Sequence, residues 1–256
     1  MLRKRLLAAV IVKNRKAVQS FNFQRYLPLG DPTILVENLD RWGADGIVVL
    51  CIDRGCEGPD LELLQRLCKL QLSTPLTYGG GIHTPEHALA AVQAGAERLI
   101  LDRVLTDAPH QLADIAAAVG QQALIASIPL RKERDNAHHL QYWDNKSQPL
   151  QSWLNNSQWQ EHVSELLSID VSAEGGQQGP DASLWNDLYS LELPILSFGG
   201  YSNGQQIEAD LQRPGVAAAV IGNALNYQEN GIRLLKERLT SLPLRPHPSQ
   251  LQSSVV

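Results

Sequence analysis

The residues best suited to chemistry in this sequence are two glycine clusters that each follow a short apolar run. Gly79-Gly80-Gly81 comes after one run and Gly199-Gly200 after another. Glycine permits positive φ and close backbone approach, so successive N–H groups can point at an anion beside a helix N-terminus. The sequence therefore predicts two phosphate-binding pockets, although tight strand-to-helix turns would also require these glycines. The candidate residues are Gly80, Gly81, Asp102 and Arg103 in one pocket, and Ser197, Gly199, Gly200, Gly222 and Asn223 in the other.

The first pocket contains a negative charge that disfavours phosphate, because Asp102 would repel it unless its carboxylate points away. Other reactive side chains give weaker signals. His138 and His139 lack a third ligand at a usable spacing, so no metal site is predicted. Cys51 has no local base, which favours a buried structural thiol. Since no Walker-type loop or dinucleotide fingerprint is present, we expect no cofactor.

These candidate residues need elements to position them, and the chain has eight short apolar runs that suit buried parallel strands. The runs cover residues 6–12, 47–52, 76–78, 98–101, 123–128, 165–169, 195–198 and 217–221. Helical segments separate them. Asp31-Pro32 and Thr84-Pro85 each combine a capping side chain with proline at the first helical position. Further helices are predicted over 61–70, 111–119, 182–191, 205–211 and 231–239. Eight strand–helix units predict a single (β/α)₈ barrel, with an open doubly wound sheet as the alternative.

The chain also repeats itself at an offset of 119 to 121 residues. Residues 75–82 recur as 194–201, residues 95–105 as 215–225, and residues 58–60 as 179–181. This repeat predicts two fused half-barrels, at about 1–122 and 123–242, within one barrel over 1–242. Residues 131–148 stand outside the repeat as an excursion with a hairpin around Asp144-Asn145. The proline-containing tail, 243–256, is expected to be loosely ordered.

Composition limits the class of protein. The 256 residues carry a net charge of −5, so we expect no nucleic-acid partner held by bulk positive charge. The longest apolar run is too short to span a bilayer, so no membrane association is expected. The first apolar run ends in Lys13-Asn14-Arg15 without a small-residue cleavage site, and the three cysteines are an odd number. These features predict a cytoplasmic protein.

Several motifs together resemble the cyclase subunit of imidazole glycerol phosphate synthase, within the histidine-biosynthesis barrel family. They are residues 1–8, 30–32, 79–83, 95–98 and 197–200, and the resemblance covers about 1–240 outside 130–160. It implies a glutaminase partner of the HisH type, whose ammonia enters the N-terminal face of the barrel. The ammonia then reacts at the C-terminal face with a bisphosphorylated ribulosyl-aminoimidazole carboxamide compound. Two aspartates, after the first and fifth strands, serve as acid and base.

This sequence departs from the family pattern at the positions that transfer protons. Ile11 and Pro129 stand where the resemblance places the two aspartates, and Cys51 replaces a third acid. Neither an aliphatic side chain nor proline can exchange a proton, so we expect the cyclase reaction to be impaired. Asp170 and Glu174 remain as candidate substitutes. Asp53 and Asp181 are further acids in the same regions.

The opposite face keeps more of the pattern that the resemblance implies for an ammonia entrance and a partner surface. Arg5, Arg98 and Glu165 match charged entrance positions, while Gly46 stands where a fourth, acidic member belongs. Glu97 and Gln122 match positions that meet the glutaminase. Each charge could also be an ordinary solvated residue at a barrel rim, but their joint occurrence favours the docking surface.

The sequence leaves the reaction product open. The stretch Val18–Phe23, followed by Gly30-Asp31-Pro32, is similar to second copies of this subunit that are associated with surface-polysaccharide synthesis. In that branch the ammonia is thought to feed a sugar amidotransferase. A second hypothesis is a non-catalytic barrel that binds a phosphorylated small molecule. The sister isomerase of the histidine pathway is a third, but it also relies on aspartates at the two substituted positions.

Overall fold

A computed structural model describes residues 3–155 and 159–246, and its core is a closed barrel of eight parallel strands. The barrel strands are β1 (Arg5–Lys13), β4 (Gly46–Cys51), β5 (Leu76–Gly79), β6 (Arg98–Leu101), β7 (Leu124–Glu133), β10 (Glu165–Asp170), β11 (Ile195–Phe198) and β12 (Val216–Ile221). They pair in chain order, and β12 closes the ring against β1 while β7 pairs with β10. The predicted (β/α)₈ fold is therefore confirmed, and the open-sheet alternative is wrong.

Helices surround the barrel. They are α1 (Pro32–Arg41), α2 (Leu61–Cys68), α3 (Pro85–Gln93), α4 (Val104–Asp107), α5 (Leu112–Val119), α6 (Leu150–Asn155), α7 (Gly204–Leu211) and α8 (Gly231–Arg238). The predicted caps form, since the Asp31 carboxylate accepts the Thr33 N–H and the Thr84 hydroxyl accepts the His87 N–H.

One predicted helix has a different form. Residues 182–191 form a 3₁₀ helix. Serine and aspartate recur along this segment, and the Ser190 hydroxyl bonds to the Asp187 carbonyl. Such local side-chain bonds compete with the α-helical backbone pattern, which gives a physical reason for the tighter form.

Two antiparallel insertions extend beyond the C-terminal ends of the barrel strands. The first joins β2 (Lys16–Phe21) and β3 (Arg25–Gly30) to the end of β1. The second adds β8 (Asn136–Gln141) and β9 (Lys146–Pro149) to the end of β7, with Asp144 and Asn145 in the predicted turn. The first hairpin was not predicted from the sequence. Its signal is the Asn14-Arg15 turn, where both residues have the positive φ that suits a two-residue hairpin.

Apolar side chains, nearly all aliphatic, fill the barrel interior, and a separate apolar layer packs between the strands and the helices. The interior residues include Leu7, Ile11, Val48, Leu50, Ile100, Ile125, Leu167, Ile169, Leu196, Phe198 and Val220. All are buried. Because strands alternate their side chains between two faces, the neighbouring residues point into the outer layer, where Cys51 and Tyr78 lie.

Gly81 and Gly200 occupy corresponding positions of the repeat, and the structure shows why both positions require glycine. A Cβ at Gly81 would lie 2.2 Å from the Gly58 carbonyl oxygen, and one at Gly200 would lie 2.3 Å from the Ala173 carbonyl oxygen. Both glycines also have positive φ, of 72° and 60° respectively. In each half, the turn after a strand therefore packs directly on the loop that follows the preceding strand.

Substitution of alanine at Gly81 or Gly200 is expected to lower the free energy of unfolding by about 3 kcal/mol or more, since strain and a backbone clash act together. Gly55→Ala is the matched control, because Gly55 has φ of 49° but open space around its Cβ. It should lose only about 1–2 kcal/mol. Urea denaturation measures all three variants, and equal losses would show that φ alone sets the requirement.

The end of the described chain is attached to the first strand. The Lys4 N–H donates to the Pro243 carbonyl at 3.0 Å, and the Arg245 N–H donates to the Lys4 carbonyl at 3.2 Å. Residues 247–256 of the predicted loose tail lie outside the described residues. Within 3–155 and 159–246, no helix is both long and apolar enough to cross a membrane.

Candidate functional site

A cavity of about 90 Å³ lies at the C-terminal mouth of the barrel, between the ends of β4 to β7. Phe23, from the β2–β3 turn, stacks on Tyr142, from the β8–β9 turn, with ring centroids 5.9 Å apart. These two rings, called the lid here, both line the cavity. Its walls include Leu50, Gly79, Gly80, Gly81, Ile100, Asp102, Arg103, Ser127, Trp143 and Ile169.

The three positions expected to carry acids are apolar or unreactive in the structure. Ile11 is 5% exposed and packs inside the barrel. Pro129 is buried and pairs with Ile169 of β10. Cys51 faces the outer layer, and burial raises the pKa of its thiol to about 12. None of them can transfer a proton at the mouth near neutral pH.

The two candidate substitutes hold loops in place. The Asp170 carboxylate accepts N–H groups from Ser172, Ala173 and Asp181, which shapes the loop after β10. The Glu174 carboxylate accepts the Ser20 hydroxyl at 3.0 Å and the Phe23 N–H at 3.1 Å, so it fixes the first hairpin. Burial raises the pKa of both acids.

The other two acids are also engaged. Asp53 accepts the Asn14 N–H at 2.5 Å. Asp181 pairs with Lys132 at 2.9 Å and accepts from Ser183 at the start of the 3₁₀ helix. These hydrogen bonds, with Ser183 first and Lys132 next, lower the pKa of Asp181 to about 2, so it stays ionised.

Asp102 is the acid that the structure places in the cavity wall. Its carboxylate accepts a hydrogen bond from the Tyr142 hydroxyl of the lid. Desolvation raises the pKa of Asp102 to about 7, with a further contribution from the negative charge of Asp107. Tyr142 lies 40 residues away, on an insertion outside the repeat. Nothing local in the sequence therefore indicated this pair, and Asp102 appeared only as a complication for phosphate binding.

The raised pKa of Asp102 predicts a specific pH dependence of stability. The folded state binds this proton more tightly than the unfolded state, so stability falls as the pH rises from about 4 to about 7. Asp102→Asn should remove that loss and gain up to about 4 kcal/mol on the wild type across this window. Urea denaturation at fixed pH measures the difference. The control is Asp144→Asn, because the Lys146 hydrogen bond lowers the pKa of Asp144 and this carboxyl therefore stays ionised across the window. Its substitution should leave the pH slope of wild type unchanged. Identical pH slopes for wild type and Asp102→Asn would contradict the expectation.

The residues of the first predicted phosphate pocket come together at this cavity. Gly80, Gly81, Asp102 and Arg103 all line it. The Arg103 side chain, however, bonds to Asp107 at 2.5 Å and lies over the Trp143 ring. The positive charge next in sequence to Asp102 is therefore paired with Asp107.

The second set is more dispersed. The Ser197 hydroxyl faces the outer layer, where it bonds to the Tyr201 hydroxyl at 2.8 Å. The Asn223 amide donates to the Ser20 carbonyl at 2.8 Å, which ties the first hairpin to the end of β12. Gly222 and Asn223 line a much smaller cavity beside Ile11 and Glu174. Gly199 and Gly200 form the turn after β11.

At the opposite end of the barrel, charged side chains form a compact cluster across the opening. Arg5 bonds to Glu165 at 2.6 Å, and Arg98 bonds to the same carboxylate as well as to the Ser164 hydroxyl at 2.8 Å. The side chains of Arg5, Arg98 and Glu165, called the entrance cluster here, are only 13–22% exposed. Two guanidinium groups thus share one carboxylate.

The remaining predicted entrance and partner residues surround this cluster. A Cβ at Gly46 would lie 2.9 Å from Leu7 Cδ2, so the Leu7 side chain occupies the space of the missing acid. The Gln122 carbonyl accepts the Ser164 hydroxyl, which places Gln122 next to the cluster. Glu97 immediately precedes β6, and its carboxylate accepts the Leu76 N–H at 3.4 Å.

The described residues contain no group of three potential metal ligands. His139 is buried and stacks on Trp153, with ring centroids 4.0 Å apart. Burial lowers the pKa of this imidazole to about 4, so it is neutral and acts as a packing residue.

Comparison with known proteins agrees with this architecture. The family model described as "Histidine biosynthesis protein" matches residues 5–231. A Vibrio vulnificus protein provisionally named imidazole glycerol phosphate synthase subunit hisF2 is 26% identical, over 95% of this chain and 91% of its own length. The subunit HisF of Exiguobacterium is 26% identical, over 96% and 97%. That of Microcystis aeruginosa is 28% identical, over 96% and 100%. The chain is a divergent HisF-like protein and belongs to the histidine-biosynthesis protein family.

Proposed function

We propose that this chain is a HisF-like subunit of a glutamine amidotransferase, which binds a glutaminase at its N-terminal face and conducts ammonia to the C-terminal mouth. The observation that carries the proposal is the entrance cluster of Arg5, Arg98 and Glu165 at one end of an aliphatic barrel interior. Both partners would act together in the cytoplasm.

The chemistry of this path suits neutral ammonia. The barrel interior offers apolar walls, so an ammonium ion would lose its hydration without gaining an ionic partner there. Ammonia loses far less on leaving water. The entrance cluster adds a barrier to ammonium, since two guanidinium groups and one carboxylate leave a net positive charge at the opening.

The residues at the C-terminal mouth of the barrel limit the reactions in which this ammonia could be used. With Ile11 and Pro129 at the positions of the family's aspartates, this chain lacks the groups expected to complete imidazole glycerol phosphate synthesis. That replacement favours a second candidate, supply of ammonia for sugar amidation in surface-polysaccharide synthesis, where another protein performs the chemistry. A non-catalytic barrel that binds a phosphorylated metabolite is the remaining alternative.

The test is association with a HisH-type glutaminase. The purified full-length chain, mixed with this glutaminase, should co-elute in gel filtration and raise the rate of glutamine hydrolysis. If the two proteins elute separately and hydrolysis is unchanged, the amidotransferase proposal fails. Binding of a phosphorylated metabolite by the isolated chain would then support the non-catalytic barrel.

A further inference from the structure

The cavity under the lid is enclosed by parts of the chain that lie far apart in sequence. Phe23 comes from the first hairpin and Tyr142 from the second, and their rings meet above the cavity. The Glu174 carboxylate accepts the Phe23 N–H, so a buried acid holds one side of the lid. The cavity volume of about 90 Å³ leaves room for about six water molecules, or for a small part of a ligand.

The polar side chains that line this cavity are His83, Asp102, Arg103, Ser127 and Tyr142. Among the described residues that line it, Asp102 is the only acid. The Tyr142 hydroxyl satisfies one acceptor position of its carboxylate, and the rest of that carboxylate is available to a donor. Arg103 bonds to Asp107, so the positive charge of its guanidinium group is paired with that carboxylate.

We propose that this cavity binds an unphosphorylated, amine- or hydroxyl-bearing group of the ligand through Asp102, and that it excludes phosphate. A carboxylate accepts hydrogen bonds and attracts cations, whereas a phosphate brought beside it adds like charges in a partly desolvated space. Leu50, Ile100 and Ile169 complete the walls with apolar surface.

The internal repeat strengthens the inference, because the two halves differ at this position. At an offset of 120 residues, Asp102 and Arg103 of one half correspond to Gly222 and Asn223 of the other. Glycine and asparagine carry no charge, so of these two corresponding positions only Asp102 repels an anion. Of the two predicted phosphate pockets, this leaves only the one at the end of β12, where Gly222 and Asn223 line the small cavity beside Ile11. This role of Asp102 goes beyond the glutaminase-dependent function.

Calorimetric titration of the full chain at a pH above 7 tests the proposal with two probes, ethanolamine and inorganic phosphate. Wild type should bind ethanolamine, and Asp102→Asn should weaken this binding by about tenfold or more. The same substitution should tighten phosphate binding by about tenfold or more, because it removes the repelling charge. Asp144→Asn, which neutralises an exposed acid in the β8–β9 turn, should match wild type with both probes.

A second variant keeps the test decisive if Asp102→Asn folds poorly. Tyr142→Phe preserves the ring that stacks on Phe23 but removes the competing hydroxyl donor, so ethanolamine should bind more tightly than to wild type. Unchanged affinities in both variants, or phosphate binding that Asp102→Asn leaves unaltered, would overturn the proposal. Co-elution with a glutaminase involves the other end of the barrel, so failure here and failure of the proposed function are separate results.

Discussion

Arg98→Glu is expected to weaken association with a HisH-type glutaminase by at least about tenfold. Arg98 shares the Glu165 carboxylate with Arg5, so the substitution would set two carboxylates against one guanidinium group. The charge of the opening would be inverted, and its partly buried geometry would rearrange. Arg98→Lys keeps the charge and should retain most of the affinity. Gel filtration and titration of glutamine hydrolysis against subunit concentration measure the effect.

The matched control for this experiment is Arg134→Glu. Arg134 is exposed in the turn between β7 and β8, at the other end of the barrel, and the substitution makes the same change in net charge. It should leave association unchanged. Removing one partner of a buried ion pair can cost about 3–5 kcal/mol of stability, so thermal unfolding must show that Arg98→Glu is folded at the assay temperature. Equal loss of association in the two variants would contradict the proposal that the glutaminase binds the N-terminal face.

Turnover of the bisphosphorylated aminoimidazole substrate to imidazole glycerol phosphate, with ammonium salt as the ammonia source, is expected to be undetectable for wild type. It should require carboxylates at both substituted positions, as in Ile11→Asp with Pro129→Asp. General acid–base catalysis contributes about 10²- to 10⁴-fold per group, so either single variant should remain inactive. The new carboxylates enter an apolar environment, which should raise their pKa values and lower stability.

The charge of Asp102 should also affect how this double variant binds its substrate. If the lidded cavity excludes phosphate, the double variant should bind the bisphosphorylated substrate poorly, and addition of Asp102→Asn should raise its turnover. Product formation by the unmodified chain would refute the expectation, because it would require a proton-transfer group other than those at positions 11 and 129. Inactivity of the triple variant, once it is shown to bind substrate, would also contradict it.

The local patterns of the sequence were sufficient to predict most of the fold. Each barrel strand coincides with an apolar run, because a strand covered on both faces excludes polar residues along its length. Asp31-Pro32 and Thr84-Pro85 begin helices as their capping chemistry requires. The repeat brings Gly81 and Gly200 to corresponding turns, where each packs against the backbone of a neighbouring loop. These features depend on residues close in sequence, or on regular spacing.

The character of the mouth was decided only by the tertiary structure. Sequence position marks Ser197 as a phosphate ligand, but the alternation of the strand turns its hydroxyl toward Tyr201. Asp170 and Glu174 look like available acids until their loop-holding hydrogen bonds are seen. Asp102 gains its role from Tyr142, on an insertion that folds back over the barrel. Desolvation and hydrogen bonding between distant segments set the charge of a buried group, and neither can be read from the residues beside it.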